Sequence, residues 1–260
     1  MPWVFGISFF VLGLIIGSFI NVIIYRTPRK MSIIKPRSRC LNCETEIKWY
    51  DNIPIISYLI LKGKCRNCQQ KISFRYPLVE GLLGLLYLGS YLRFGISVEI
   101  IFAIIFLTVS VIVVFIDIDF QIIPNLCVGV ILLLGIGNTI YLYFSEGKIA
   151  IEGYLIGFIV GFGILFLIRL LGFLLFKKEA MGWGDVKLMT AAGLFLGVGN
   201  IILTILFSSI VGAVVELILL KIGKREKKQG IPFGPYLVLG MIISLFFGSY
   251  IINWYLGLLG

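Results

Sequence analysis

The stretch IFAIIFLTVSVIVVFIDIDFQIIPN, residues 101–125, runs for sixteen residues without a charge and then meets Asp117 and Asp119. A helix needs roughly 20 mostly apolar residues to cross the hydrocarbon core of a bilayer. The apolar segment around this stretch, residues 99–116, has companions at 3–25, 77–92, 124–144, 153–176, 186–198, 200–220 and 232–256. The sequence therefore predicts an all-α polytopic membrane protein of about eight transmembrane helices. Composition agrees: 59% of the residues are hydrophobic, mean hydropathy is +1.04, and thirty glycines suit helices that pack closely in lipid.

The formal charge of +10 is not spread evenly. Twelve of the 23 basic residues lie between Arg26 and Arg75, beside only three acids. Such a cluster between two apolar segments reads as a cytoplasmic loop facing a lipid bilayer, and not as a nucleic-acid surface. The expected organisation is a first transmembrane helix over 1–25, a basic cytoplasmic loop domain over 26–76, and a transmembrane domain over 77–260. Trp3 opens the first segment with no basic residue before it, whereas Arg26, Arg29 and Lys30 follow, so a retained helix running from outside to inside is expected, not a cleaved signal peptide. Propagating that direction puts Lys177, Lys178, Lys187 and the run Lys221–Lys228 inside. It leaves Arg93 and Lys148 outside, next to Glu99, Glu146 and Glu152, with both termini outside.

The basic loop contains a repeat, CLNCETEI at 40–47 and CRNCQQKI at 65–72, each of the form C-x-N-C-x-x-x-I. Two knuckles with two thiolates each can make one tetrahedral site from Cys40, Cys43, Cys65 and Cys68, and structural zinc is its leading occupant; free thiols or a redox pair are the alternative. Four thiolates leave no open coordination position, so this metal holds shape and does no chemistry. Cys127, alone in an apolar segment, reads as packing.

The chain has no histidine, which removes His-based triads and imidazole acid/base chemistry. Proton transfer must fall to carboxylates, Lys, Tyr or Cys. Five of the thirteen acids, Glu80, Asp117, Asp119, Asp185 and Glu216, lie in or beside apolar segments, where an ionised acid needs a cavity, a partner or water. Asp117, Asp119 and Asp185 fall at the predicted cytoplasmic boundary. Each alone can be a solvated boundary acid, and Asp185 can simply favour a helix N-terminus. Together with Gly182 and Gly184, which strip bulk from the chain around Asp185, they point to close approach and a shared purpose. Two adjacent carboxylates share one proton, so one acts as base toward water while the other protonates a leaving amine. That is peptide hydrolysis without histidine or a covalent intermediate.

In these residues the chain resembles the type IV prepilin peptidases, membrane aspartic proteases with a GxGD signature. The resemblance covers nearly the whole chain and rests on GSFINVIIYR (17–26), the paired CxxC loop continued by DNIPIISYLILKGKCRNC (51–68), RYPLVE (75–80), FIDIDFQIIPN (115–125), GWGDVK (182–187) and IPFGPYLVLG (231–240). It implies that the catalytic aspartates are Asp117, seven residues before the proline of D-x6-P-N, and Asp185 of GxGD, while Asp119 is not catalytic. It implies a bacterial inner-membrane enzyme that cuts the basic leader from prepilins or pseudopilins on the cytoplasmic side, after a glycine. Many members then methylate the new N-terminus with S-adenosylmethionine, and those members have a large cysteine-bearing loop like this one.

No Gly-rich fingerprint for S-adenosylmethionine is present, since GLLGLLYLG (81–89) reads as helix packing. Glu80 in RYPLVE is a candidate for the cofactor-binding site by resemblance and location; a buried, paired acid near a helix start is the other reading. Glu216 reads as one end of an internal hydrogen bond. Two rival classes remain beside the peptidase: a proton- or cation-coupled transporter, which explains the aspartates but not the cysteine loop, and a zinc-loop scaffold for pilus assembly, which leaves the aspartates idle.

Overall fold

The computed structural model describes residues 2–177, 181–223 and 232–259; Lys178, residues 224–228 of the basic run and Ile231 of the last motif lie outside them. The chain forms two compact units, Met1–Ile112 and Val113–Gly260, and the division falls inside one long helix.

The first unit is built on an antiparallel helix pair, α1 (Pro2–Arg26) and α3 (Arg75–Phe94). Glycines set the contact. A Cβ at Gly6 would meet Leu88 and Tyr91, one at Gly13 would collide with the backbone of Leu83 and Gly84, and one at Gly17 would stand 2.7 Å from Cα of Glu80. Farther along, the Asn21 side-chain amide donates to the Tyr76 carbonyl at 3.2 Å. These contacts keep one register from end to end, with Ile20, Ile24, Val79, Leu83 and Tyr87 buried along it. Gly84 lies against Phe10 and Leu14, so GLLGLLYLG is packing, as expected. Between the two helices come a 3₁₀ turn (Trp49–Asn52) and the short α2 (Ile56–Ile60). The hydroxyl of Tyr87 shares a 2.8 Å hydrogen bond with Thr108 on α4 (Val98–Phe120), whose first part closes this unit.

In the second unit, the end of α4 leads through Pro124, in an extended conformation, to α5 (Asn125–Glu146), α6 (Lys148–Phe176), α7 (Trp183–Leu196), α8 (Val198–Lys221) and α9 (Gly234–Leu259). Helix α7 is its centre. Val186, Leu188, Met189, Ala191 and Ala192 are fully buried, and α5, α6, α8 and α9 all pack against it. Gly157 and Gly161 of α6 admit the backbone of Gly193 and Met189, and Gly135 of α5 admits Leu194. A helix apolar on every side is stable only when enclosed in this way. Gly197, at φ +81°, ends α7 and starts α8 in a conformation that costs glycine little.

Among the described residues, six helices, α1, α4, α5, α6, α8 and α9, are long and apolar enough to cross a membrane. The protein is a multi-pass membrane protein. The two remaining predicted segments, 77–92 and 186–198, do form helices but miss that mark for different reasons. Helix α3 carries Arg75, Glu80 and Arg93, yet it follows α1 from one end to the other and so shares its depth. The fourteen residues of α7 cover only about 21 Å at 1.5 Å per residue, and its neighbours shield it instead.

Candidate active site and metal centre

Asp117 sits one turn before the end of α4 and is 5% exposed. Its Oδ2 accepts a 2.9 Å hydrogen bond from the backbone N–H of Gly234, at the start of α9. Asp185 is the third residue of α7 and 9% exposed; it reaches back to accept from the Gly182 N–H at 3.2 Å. The helix-start role read from the sequence is therefore real, and it fixes the carboxylate's direction. Burial first, and the charge of Asp117 second, push the Asp185 carboxyl up to about 6. The two aspartates thus feel each other, whereas Asp119 is exposed two residues away.

The glycines before Asp185 serve close approach. A Cβ at Gly184 would lie 3.0 Å from Cβ of Ile123, in the turn between α4 and α5, and one at Gly182 would lie 3.1 Å from Asp185 itself. The same turn is tied again by a 3.3 Å hydrogen bond from Lys187 Nζ to Asn125 Oδ1. FIDIDFQIIPN and GWGDVK, more than fifty residues apart, are therefore packed together. Two buried carboxylates with one proton between them can split water and protonate an amine without further help.

Two contributors escaped the sequence reading. Gly234 was visible only as a letter in IPFGPYLVLG, though its backbone N–H donates a hydrogen bond to Asp117. Arg169, a lone cation in the apolar run of α6, donates to the carbonyl of Met181 and lies 4.8 Å from the ring centre of Trp183. It holds both sides of Gly182. A search for isolated basic residues in apolar segments, not only acids, finds it. Glu216 accepts from the Tyr236 hydroxyl at 2.9 Å, which is the internal hydrogen bond expected of it, and Cys127 is buried.

In the first unit the two knuckles are structurally alike. Cys40 and Cys65 each receive a bond from the N–H four residues on, of Glu44 and Gln69, and those two residues share the left-handed conformation at φ 54° and 59°. The four Sγ atoms lie within 4.8 Å of one another, with Cys40 to Cys68 at 3.8 Å and Cys43 to Cys65 at 4.0 Å. Those separations exclude disulfides and suit a tetrahedral ion with metal–sulfur bonds of about 2.3 Å, whose sulfurs stand ~3.8 Å apart. Hydrogen bonds from Thr45 hold the Cys43 thiol down to about 6, so it offers a thiolate at neutral pH. Asn67 donates to the Thr45 hydroxyl at 2.9 Å, and Arg66 grips Asp51 through two nitrogens at 2.9 and 2.6 Å, so residues inside the second knuckle brace the first and the 3₁₀ turn. The cluster can hold a metal such as zinc.

Glu80, buried in α3, accepts from the Ile55 N–H at 2.7 Å and from Ser18 of α1. Its carboxylate thus fastens the loop to the helix pair as a buried, paired acid.

An all-α, multi-pass membrane protein with paired buried carboxylates and a four-thiol loop is a narrow class, and comparison with known proteins agrees. Residues 11–94 match the bacterial peptidase A24 N-terminal domain and residues 101–217 match the type IV leader peptidase family. The chain belongs to the type IV leader peptidase family. It is 33% identical to the prepilin leader peptidase/N-methyltransferase of Legionella pneumophila over 98% of this chain and 96% of that protein. The proteins of the same name from Myxococcus xanthus and Bacillus subtilis are 41% and 33% identical, covering 88% and 95% of this chain and 69% and 96% of theirs. No solved structure matches the chain.

Proposed function

We propose that this protein removes the basic leader of type IV prepilins or pseudopilins after a glycine, on the cytoplasmic side of the inner membrane, and N-methylates the new terminus. Family membership supports both activities and does not favour a transporter or a scaffold. The observation that carries the protease assignment is the pair of buried aspartates, Asp117 and Asp185, on two helix ends packed together through Gly184 and Ile123. One carboxylate takes a proton from water as its oxygen attacks the scissile carbonyl; the other gives its proton to the departing amine.

The dyad lies in the 77–260 portion, and the 26–76 loop, organised by zinc on Cys40, Cys43, Cys65 and Cys68, is assigned to methyl transfer from S-adenosylmethionine. The metal supplies folding energy to a loop of low apolar content. Mass spectrometry of a co-expressed prepilin tests the whole reading, since one spectrum reports loss of the leader and gain of a methyl group. Asp117→Asn and Asp185→Asn should each cut cleavage by at least about 10²-fold, while Asp119→Asn keeps most of it. A dead Asp119→Asn beside an active Asp117→Asn would reverse the assignment.

A further inference from the structure

The loop carries an apolar ridge that the protease and metal sites do not use. Ile56, Leu59 and Ile60 lie on one side of α2, with Leu59 and Ile60 67% and 70% exposed, and Ile53 just before them is exposed too. A five-residue helix has no stability of its own in water, so something must hold it. Part of the answer is internal: Ser57, buried, donates to the Tyr50 carbonyl at 2.8 Å, and Tyr58 packs edge-on against Phe74.

The depth of the attachment says what the other side meets. Ile55, which caps α2, donates its N–H to Glu80, and its side chain reaches within 3.7 Å of where a Cβ on Gly81 would be. Gly81 stands six residues beyond Arg75, about 9 Å along α3. Glu80 packs against Gly17, nine residues and about 13 Å short of Arg26 at the end of α1. The chain entering α2 has therefore returned alongside a membrane-crossing helix pair, below the level at which both helices end. Arg26 begins that return by donating to the carbonyls of Ser32, Ile33 and Pro36 and folding the loop back on the helix. The buried Glu80 carboxylate bonds the Ile55 N–H there, a partner that a backbone group entering a bilayer requires.

We infer that residues 53–60 form a re-entrant element whose Ile53, Ile56, Leu59 and Ile60 side chains lie in the acyl and headgroup region of the bilayer. Lys48, Lys62 and Lys64, exposed on either side of it, face lipid phosphates. The occupant of the ridge is the anionic membrane that α1 crosses.

The test uses the full chain with its metal loop intact. Trp3, Trp49, Trp183 and Trp254 are replaced by Phe and Leu59→Trp is introduced; a second protein carries Ile60→Trp instead, and metal content confirms a folded loop in each. Both are reconstituted into vesicles of equal parts phosphatidylcholine and phosphatidylglycerol, with or without bromine on the acyl chains. The indole should lose at least about half of its emission to brominated lipid and little to aqueous acrylamide. Emission that acrylamide quenches and brominated lipid does not would put the ridge in water and overturn the inference. Protection from both quenchers would put protein on the ridge, and would overturn it equally.

Discussion

The backbone N–H of Gly234 donates to Oδ2 of Asp117 at 2.9 Å, and a Cβ on that glycine would stand 2.7 Å from the same oxygen. The glycine's missing side chain is thus part of the site. Gly234→Ala should push the carboxylate aside and cut kcat for prepilin cleavage about 10²-fold or more, with the protein still inserted. Steady-state cleavage of a prepilin peptide by the purified variant checks this, and wild-type kcat would show that the carboxylate tolerates the shift.

Acidity of the pair should be visible in the pH profile. With the Asp185 carboxyl pushed up to about 6, it keeps its proton below that pH and loses it above, so the single proton the dyad needs is lost as pH rises through 6. The kcat profile should therefore fall on an alkaline limb with an apparent pKa near 6. A flat profile from pH 5 to 9 would exclude a shared-proton mechanism.

One zinc per chain should be found by metal analysis of purified protein, and it should be absent when Cys40, Cys43, Cys65 and Cys68 are all replaced. Cys40→Ser with Cys43→Ser should unfold the loop and abolish methylation while cleavage survives in part, because α4, α7 and α9 carry the dyad. A prepilin processed by that variant should be cleaved and unmethylated by mass spectrometry. A fully methylated product would sever the loop from methyl transfer.

Arg169 is expected to act on catalysis through position. Its guanidinium holds the Met181 carbonyl and stacks on Trp183, fixing the turn whose Gly182 N–H orients Asp185. Arg169→Ala should lower kcat about tenfold with KM little changed, and Arg169→Lys should recover only part, since an ammonium cannot both stack flat on indole and reach the carbonyl. An effect confined to KM would assign Arg169 to substrate binding instead.

Much of this was open to reading along the chain. A continuous apolar run declares a membrane helix because the bilayer demands it residue by residue, and two C-x-N-C units declare a four-thiol cluster because each knuckle is a local structure. An acid in such a run likewise declares that it needs a reason, which singles out Glu80, Asp117, Asp119, Asp185 and Glu216; the family resemblance then points to Asp117 and Asp185 among them. Other features depend on which segments meet. That α3, with its three charges, lies along α1 is set by Gly6, Gly13 and Gly17, whose role exists only once the partner helix is in place. Helix α7, too short to cross a bilayer by itself, is stable because four other helices enclose it. The bond from Gly234 to Asp117 spans 117 positions, and the one from Ile55 to Glu80 spans 25. Periodicity and composition report what each segment can bury, whereas a carboxylate's partner is chosen by tertiary packing, which is why those assignments came only with the fold.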